Sequence, residues 1–177
     1  FKYKSRIYFN FNYLNSSVFD VIKKEFDNKL NGQLINISVY ASHGLFFKNS
    51  FKNNWRIHSK NIFDNIVGNL GIHYINLIIN LTKIKKISRI LRYGFSKKGL
   101  DTGIIYLDLS NSASAQIFLT YSSVASQEIK IYFTNAILEY NNNSIYKYSP
   151  RDTYDKDGYF KKPSKKIIIP KADLSKK

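Results

Sequence analysis

The sequence contains no cysteine, which excludes a disulfide framework and any metal site built on cysteine. It also contains no long apolar run, because Asn, Lys and Gly interrupt every apolar stretch, so we expect no transmembrane helix. Acidic residues number only 12 and are dispersed, which leaves no visible carboxylate pair. The sequence has no HExxH metal motif, no G-x-S-x-G nucleophile and no glycine-rich phosphate loop. We therefore predict no metal site, and the lack of cysteine favours a cytoplasmic protein.

Basic residues, in contrast, are abundant: 28 Lys and Arg residues give a formal net charge of +16. Such an excess is typical of proteins that bind nucleic acid or another anion. Here the lysines are scattered among Asn, Ile, Tyr and Phe and do not gather on one helix. The pattern thus favours solvated faces over a dedicated polyanion site. With 177 residues, 44% of them hydrophobic, the chain is predicted to form one globular domain.

Hydrophobic periodicity predicts the order of the elements. The first half reads as strand, helix, strand, loop and helix over 5–13, 15–32, 33–42, 43–60 and 64–81. From about residue 85 onward, β-rich segments with short connections are typical of an antiparallel meander. The predicted buried positions are Val18, Ile22, Phe26 and Leu30 of the first helix and Ile35, Ile37, Val39 and Ala41 of the second strand. The fold class is therefore α+β, with one sheet and helices packed on one face.

The stretch "DNIVGNLGIHYINLIINL", residues 64–81, carries the candidate chemistry. It combines an apolar stripe with a separate polar stripe; the apolar positions are Ile66, Leu70, Tyr74, Leu77, Ile78 and Leu81, and the polar ones are Asn69, His73, Asn76 and Asn80. Residues four apart on a helix have Cβ atoms about 6 Å apart, so an oxygen of Asn69 can accept from the His73 imidazole. Gly68 and Gly71 each cost about 1 kcal/mol inside a helix. The presence of these glycines indicates that another element or a ligand comes close to the helix start. His73 on the polar stripe is either a structural histidine or part of an active site.

Several segments in the same order resemble one known family. They are "FNYLNSSVFDVIKKEFDNKLNGQLINISVYASHG", "NNWRIHSKNIFDNIVGNLGIHYINLI" and "DTGIIYLDLSNSASAQIFLTYSS" followed by "QEIKIYFTNAILEY". Together they resemble the C-terminal domain of Gfo/Idh/MocA-type oxidoreductases, over roughly residues 5–148. The central segment is similar to that family's D-x-G-x-H helix motif. Asn69 and Asn76 stand where the motif has aspartates, a variant that resembles the branch acting on UDP-N-acetylglucosamine-type sugars.

The resemblance implies an open, mainly antiparallel sheet whose exposed face builds a homo-oligomer. It also implies NAD or NADP, bound mainly by a Rossmann domain that is not in this chain, and a sugar or nucleotide-sugar substrate of surface glycan synthesis. His73 corresponds to the catalytic or substrate-orienting histidine, with Asn69 orienting it and Asn76 near the substrate. Arg56, Lys48 and Lys52 are candidates for contacting a phosphate or uronate.

Two other functions stay open. The replacement of both motif aspartates by Asn69 and Asn76 is also compatible with an assembly module of the same fold that has lost its chemistry, since an amide cannot act as a base. A nucleic-acid-binding domain is the less favoured alternative, because the sequence offers only its charge and its aromatic content of 16% in support. We assign residues 1–148 to the substrate and oligomerisation domain and 149–177 to a polar, Lys-rich loop and tail, and we expect that this domain is a piece of a longer protein.

Overall fold

The computed structural model describes residues 11, 14, 16–51, 65–95, 99–141, 143–148 and 154–169. Within these ranges two α-helices lie against one eight-stranded sheet: α1 (Ser17–Phe26) and α2 (Ile72–Leu81). The strands are β1 (Leu34–Ser42), β2 (Ile84–Tyr93), β3 (Thr102–Leu109), β4 (Ser114–Thr120), β5 (Ser126–Phe133), β6 (Ile137–Asn141), β7 (Ser144–Tyr148) and β8 (Lys165–Ile169). The predicted α+β class is confirmed, while the strand predicted at 5–13 lies outside the described residues except for residue 11.

The sheet is mixed, with the spatial order β2-β3-β4-β1-β5-β6-β7-β8. The later strands pair antiparallel, but β1 is inserted between β4 and β5 and runs parallel to β4. The predicted simple meander is therefore interrupted at its centre, because the core-facing residues of β1 fill the middle of the sheet. Sequence order alone gives no sign of this insertion, since β1 and its partner β4 are separated by a helix and two strands.

Both helices cover the same face of the sheet. The ring of Phe26 in α1 packs edge-to-face on Phe133 of β5 at a centroid distance of 5.6 Å. An ion pair of 2.8 Å between Lys147 Nζ in β7 and Glu25 Oε2 also ties α1 to the sheet. All six residues of the predicted apolar stripe on the second helix are at most 9% exposed, so this stripe is confirmed as the surface that joins α2 to the core.

The prediction of buried residues is wrong at two positions, which are exposed in the structure. Leu30 is 78% exposed because α1 ends at Phe26, and a short 3₁₀ turn, Lys29–Asn31, then carries the chain off the helical face. Ile35 is 51% exposed, and it lies where the pairing of β1 with β5 shifts register between Leu34 and Asn36. Such a bulge changes which side of the strand faces the core. The alternation resumes after it, with Ile37, Val39 and Ala41 buried as predicted.

The opposite face of the sheet carries no helix in the described part of the chain. Its central strands present aromatic rings: Tyr40 of β1 stacks on Phe118 of β4, with centroids 5.4 Å apart and planes 4° from parallel. Nearer the β8 edge, Lys165 Nζ lies 3.8 Å from the ring centroid of Tyr146. β8 is a strand that the sequence pattern did not predict, and it extends the sheet with part of the Lys-rich segment after residue 148.

Candidate active site

The second helix begins with an unusual turn. Asn65 is fully buried, and its side-chain Oδ1 accepts from the backbone N of Val67 at 2.9 Å, which caps the start. The backbone then forms a π-helical turn over Val67–Gly71 before it continues as α2. A π turn is wider than an α turn and is frequent at functional sites. Its presence changes the direction of Asn69 relative to the regular helix that the sequence predicts.

Glycines let this turn lie directly on the sheet. A Cβ on Gly71 would lie 3.0 Å from Ile105 Cδ1 and 3.1 Å from Leu119 Cδ1, tighter than an ordinary van der Waals contact. On the facing strand β3, a Cβ on Gly103 would lie only 2.7 Å from Val67 Cγ2. The sequence left open whether another element or a ligand comes close to the helix start. At Gly71 it is another element, because the side chains of β3 and β4 lie against it. The close contact fixes the distance between the sheet and the helix start that carries Asn69 and His73.

Asn69 contacts a residue that sequence reasoning missed. The Oη of Tyr121 donates to Asn69 Oδ1 at 3.3 Å, across 52 positions of sequence. Tyr121 follows β4 directly and is 1% exposed, and its backbone N donates to Asp101 O at 2.9 Å. Nothing in the local sequence around Tyr121 indicates this role, because only the placement of the π turn Val67–Gly71 over β4 brings the two side chains together.

His73 is half-buried one turn beyond Asn69. Its imidazole makes an edge-to-face contact with the ring of Phe11, with centroids 6.0 Å apart and planes at 80°. Among the residues that the structure describes, no hydrogen bond joins Asn69 to His73, so the orienting contact expected from the four-residue spacing is not formed in this arrangement. Asn76, on the same side of α2, accepts at its backbone O from Asn80 Nδ2 at 2.8 Å.

A second histidine lies near the same end of the sheet. His43 follows β1, and its ring centroid is 6.3 Å from that of Tyr121. Burial lowers the pKa of His43 below its ordinary value, which favours the neutral imidazole at neutral pH. Phe51 contacts Tyr121 from the same loop, with centroids 5.4 Å apart. The loop after β1 therefore holds the Tyr121 ring in place from one side.

A buried polar network supports the same end of the sheet. The carboxylate of Asp101 accepts from the backbone N of Phe95 at 3.1 and 3.2 Å and from Thr102 Oγ1 at 2.9 Å. Thr102 Oγ1 and Thr120 Oγ1 are in turn 2.8 Å apart, across the β3–β4 pair. Because Tyr121 follows Thr120, this network fixes the backbone from which Tyr121 reaches Asn69.

Of the three predicted loop cations, Lys48 alone lies in the described part of the chain. Lys48 lies exposed at the end of a short 3₁₀ turn, Leu45–Phe47. Arg56 and Lys52 lie outside the described residues. Two concavities of the described surface, of about 480 and 450 Å³, are lined by neither Asn69 nor His73. The described residues also contain no group of three metal-ligating side chains and no helix long and apolar enough to cross a membrane.

Comparison with known sequences identifies the chain. A family model described as the GFO/IDH/MocA C-terminal domain matches residues 20–139. The chain belongs to the Gfo/Idh/MocA family. The match includes the candidate helix with Asn69 and His73, and it confirms the resemblance drawn from the sequence segments. A comparison with curated proteins gives no match.

Solved structures of Gfo/Idh/MocA-like oxidoreductases share this fold. UDP-N-acetylglucosamine 3-dehydrogenase GnnA from Acidithiobacillus ferrooxidans superposes with a TM-score of 0.62 at 13% identity, covering 94% of this chain and 46% of that one. Levoglucosan dehydrogenase in complex with NADH and L-sorbose gives a TM-score of 0.69 at 13% identity, covering 90% and 46%. An oxidoreductase from Agrobacterium radiobacter in complex with NAD+, L-tartaric acid and magnesium gives 0.64 at 13% identity, covering 87% and 43%. This chain thus corresponds to a little under half the length of each, and the predicted open, mainly antiparallel sheet is confirmed.

Proposed function

We propose that this chain is the substrate-side domain of an NAD(P)-dependent oxidoreductase that oxidises a hydroxyl group of a sugar or nucleotide sugar. The observation that carries the proposal is the start of the second helix, where half-buried Asn69 lies in a π turn packed onto the sheet and half-buried His73 lies in the first turn of α2 directly after it. Family membership and the sugar dehydrogenases among the similar structures support it. The facing wall of the site would come from a Rossmann domain.

The residues of this domain suit the handling of an uncharged hydroxyl. The His73 imidazole can accept the hydroxyl proton at a ring nitrogen. The Asn69 amide can hold the oxygen by a hydrogen bond but cannot take its proton. A nicotinamide cofactor would supply the hydride acceptor. We assign the dinucleotide mainly to a Rossmann domain, since this sequence contains no glycine-rich phosphate loop.

Replacement of His73 tests the proposal in the complete protein. We expect His73→Ala to lower the rate of cofactor reduction about a hundredfold or more at saturating cofactor, because a general base is lost. Asn80→Ala is the matched control, since Asn80 lies on the same side of the helix but is exposed. Turnover that is unchanged in His73→Ala would remove this residue from the mechanism, whereas the absence of turnover in the complete unmodified protein would favour the assembly-module alternative.

We infer further that the substrate carries a phosphate or carboxylate, which Arg56, Lys48 and Lys52 would contact while Asn76 lies near the sugar. The support is the concentration of cations in the loop that leads to the helix. Such a substrate would fit surface glycan synthesis in the cytoplasm. The KM of Arg56→Ala for a nucleotide-linked and for a free sugar tests this: we expect a selective rise for the nucleotide-linked one. Equal small changes for both would show that Arg56 does not read the phosphates.

The face of the sheet opposite α1 and α2 supports a homo-oligomer. It presents the stacked pair Tyr40 and Phe118 at its centre, and aromatic rings of this kind are enriched in protein interfaces. We expect Phe118→Glu to shift the protein toward the monomer in sedimentation velocity experiments. Ser88→Glu, on the exposed edge strand β2, is the control and should leave the mass unchanged. A mass that is the same for Phe118→Glu and the unmodified protein would exclude this face as the interface.

A further inference from the structure

The hydroxyl of Tyr121 is rigidly held. Its side chain is 1% exposed, and the rings of Phe51 and His43 lie at 5.4 and 6.3 Å from its own. Its backbone position is fixed by the hydrogen bond from its N to Asp101 O. A phenol side chain has few rotamers, so a Tyr packed in this way keeps its hydroxyl oxygen in one position. From that position the hydroxyl donates to Asn69 Oδ1 at 3.3 Å.

This contact decides which end of the Asn69 amide faces the surroundings. An amide has an oxygen that accepts and a nitrogen that donates two hydrogens. With Oδ1 turned to Tyr121, Nδ2 must point away from it. Among the described residues nothing accepts from Asn69 Nδ2, although the residue is half-buried. Two N–H donors therefore remain for an acceptor that approaches the helix start.

We propose that Tyr121 is a positioning residue that fixes the Asn69 amide with its Nδ2 donors toward an oxygen of the substrate. The inference rests on the proposed function, and it defines the direction of the hydrogen bond between Asn69 and the substrate. Asn69 donates to the reacting oxygen, whether that oxygen belongs to the hydroxyl or to the carbonyl formed from it. An aspartate at 69 would accept the same hydrogen bond from Tyr121 but could only accept from the substrate as well. With Asn in place of the motif's Asp, residue 69 donates a hydrogen bond to the substrate, whereas an aspartate would accept one.

The activity test is a double-mutant cycle in the complete protein. Tyr121→Phe removes only the hydroxyl, and we expect kcat/KM for a sugar substrate to fall about threefold to tenfold, the range for one neutral hydrogen bond. In an Asn69→Ala background the same change should have no further effect, because its target is gone. Tyr140→Phe is the control: this Tyr is also buried and its Oη donates to Asn143 Oδ1 at 2.9 Å, far from the site. An equal loss from Tyr121→Phe in both backgrounds would show a merely structural role and overturn the proposal.

A second readout does not depend on activity. In ¹⁵N-labelled protein, the side-chain amide signal that disappears in Asn69→Ala should shift in Tyr121→Phe and stay in place in Tyr140→Phe. No shift would overturn the positioning contact. If the shift occurs but no sugar is oxidised by the unmodified protein, the contact is supported and the proposed function fails. Asn69→Asp tests the direction of the hydrogen bond to the substrate, because an aspartate can accept but cannot donate. We expect this variant to lose at least tenfold in kcat/KM. Activity equal to that of the unmodified protein would overturn the donor role of Asn69.

Discussion

The contact between Gly103 and Val67 gives a quantitative test of how the helix start is held. A Cβ added at Gly103 would lie 2.7 Å from Val67 Cγ2, whereas carbon atoms in good contact are about 3.5–4.0 Å apart. Gly103→Ala must therefore displace the π turn by roughly 1 Å. Such overpacking costs about 1–3 kcal/mol, and the loss of the flexible glycine returns about 0.5–1 kcal/mol. Taking the middle of each range, we expect a net destabilisation of about 1 kcal/mol, or roughly 2–4 °C in Tm for a domain of this size.

Val67→Ala should relieve this clash, because it removes the methyl group that the new Cβ meets. Alone, it should cost about 1.6 kcal/mol for two buried methyl groups, with an added cavity cost. In that background the overpacking is relieved and only the gain of about 0.5–1 kcal/mol from losing the glycine remains, which gives a coupling energy of about 1–3 kcal/mol. Urea denaturation followed by circular dichroism measures all four proteins. Equal costs of Gly103→Ala in both backgrounds would refute the reasoning.

Two further predictions concern stability away from the site. Ser112 has a positive φ of 60° in the tight turn between β3 and β4, a conformation that suits Gly, so Ser112→Gly should stabilise the protein by about 0.5–1 kcal/mol in urea denaturation. Ser112→Ala should give no gain, and a gain of equal size would contradict the backbone explanation. Burial alone raises the pKa of Glu25, but hydrogen bonds from Lys147 and Asn31 and the Lys147 charge outweigh it and lower the pKa below the ordinary value of 4.5. The carboxylate therefore stabilises the fold above pH 4.5, and this contribution is lost as the pH falls through the lowered pKa. The urea midpoints of the unmodified protein and Glu25→Gln should differ at pH 7 and converge toward pH 3; a constant difference would show that Glu25 gains nothing from its charge.

Much of the fold could be predicted because it depends on local periodicity. The apolar stripe from Ile66 to Leu81 is buried as predicted, since residues three and four apart must share a helix face. The errors lie where the backbone departs from a regular period. Leu30 follows the end of a helix, and Ile35 lies at a register shift, so neither continues the pattern of its neighbours.

The candidate site was predictable only in part. His73 and Asn69 could be named from one helix, and both lie at its start in the structure. Their mutual hydrogen bond was expected from ideal α-helical spacing, whereas the structure pairs Asn69 with Tyr121 instead. The π turn at Val67–Gly71 has no distinct sequence signal, because its cause is the fit of the turn onto β3 and β4. Lys52 and Arg56 lie outside the described residues, so their part in the site stays a prediction.

By itself, the sequence determined which residues are apolar at helical or strand spacing, and with that the α+β class, the buried face of the second helix and the residues able to bind a hydroxyl. Only the tertiary structure decided the position of β1 in the middle of the sheet, the partner of Asn69 and hence the direction in which its amide points. The physical reason is the separation along the sequence of the residues that interact. Periodicity acts between residues a few positions apart, whereas a hydrogen bond across 52 positions exists only after the helix has packed on the sheet.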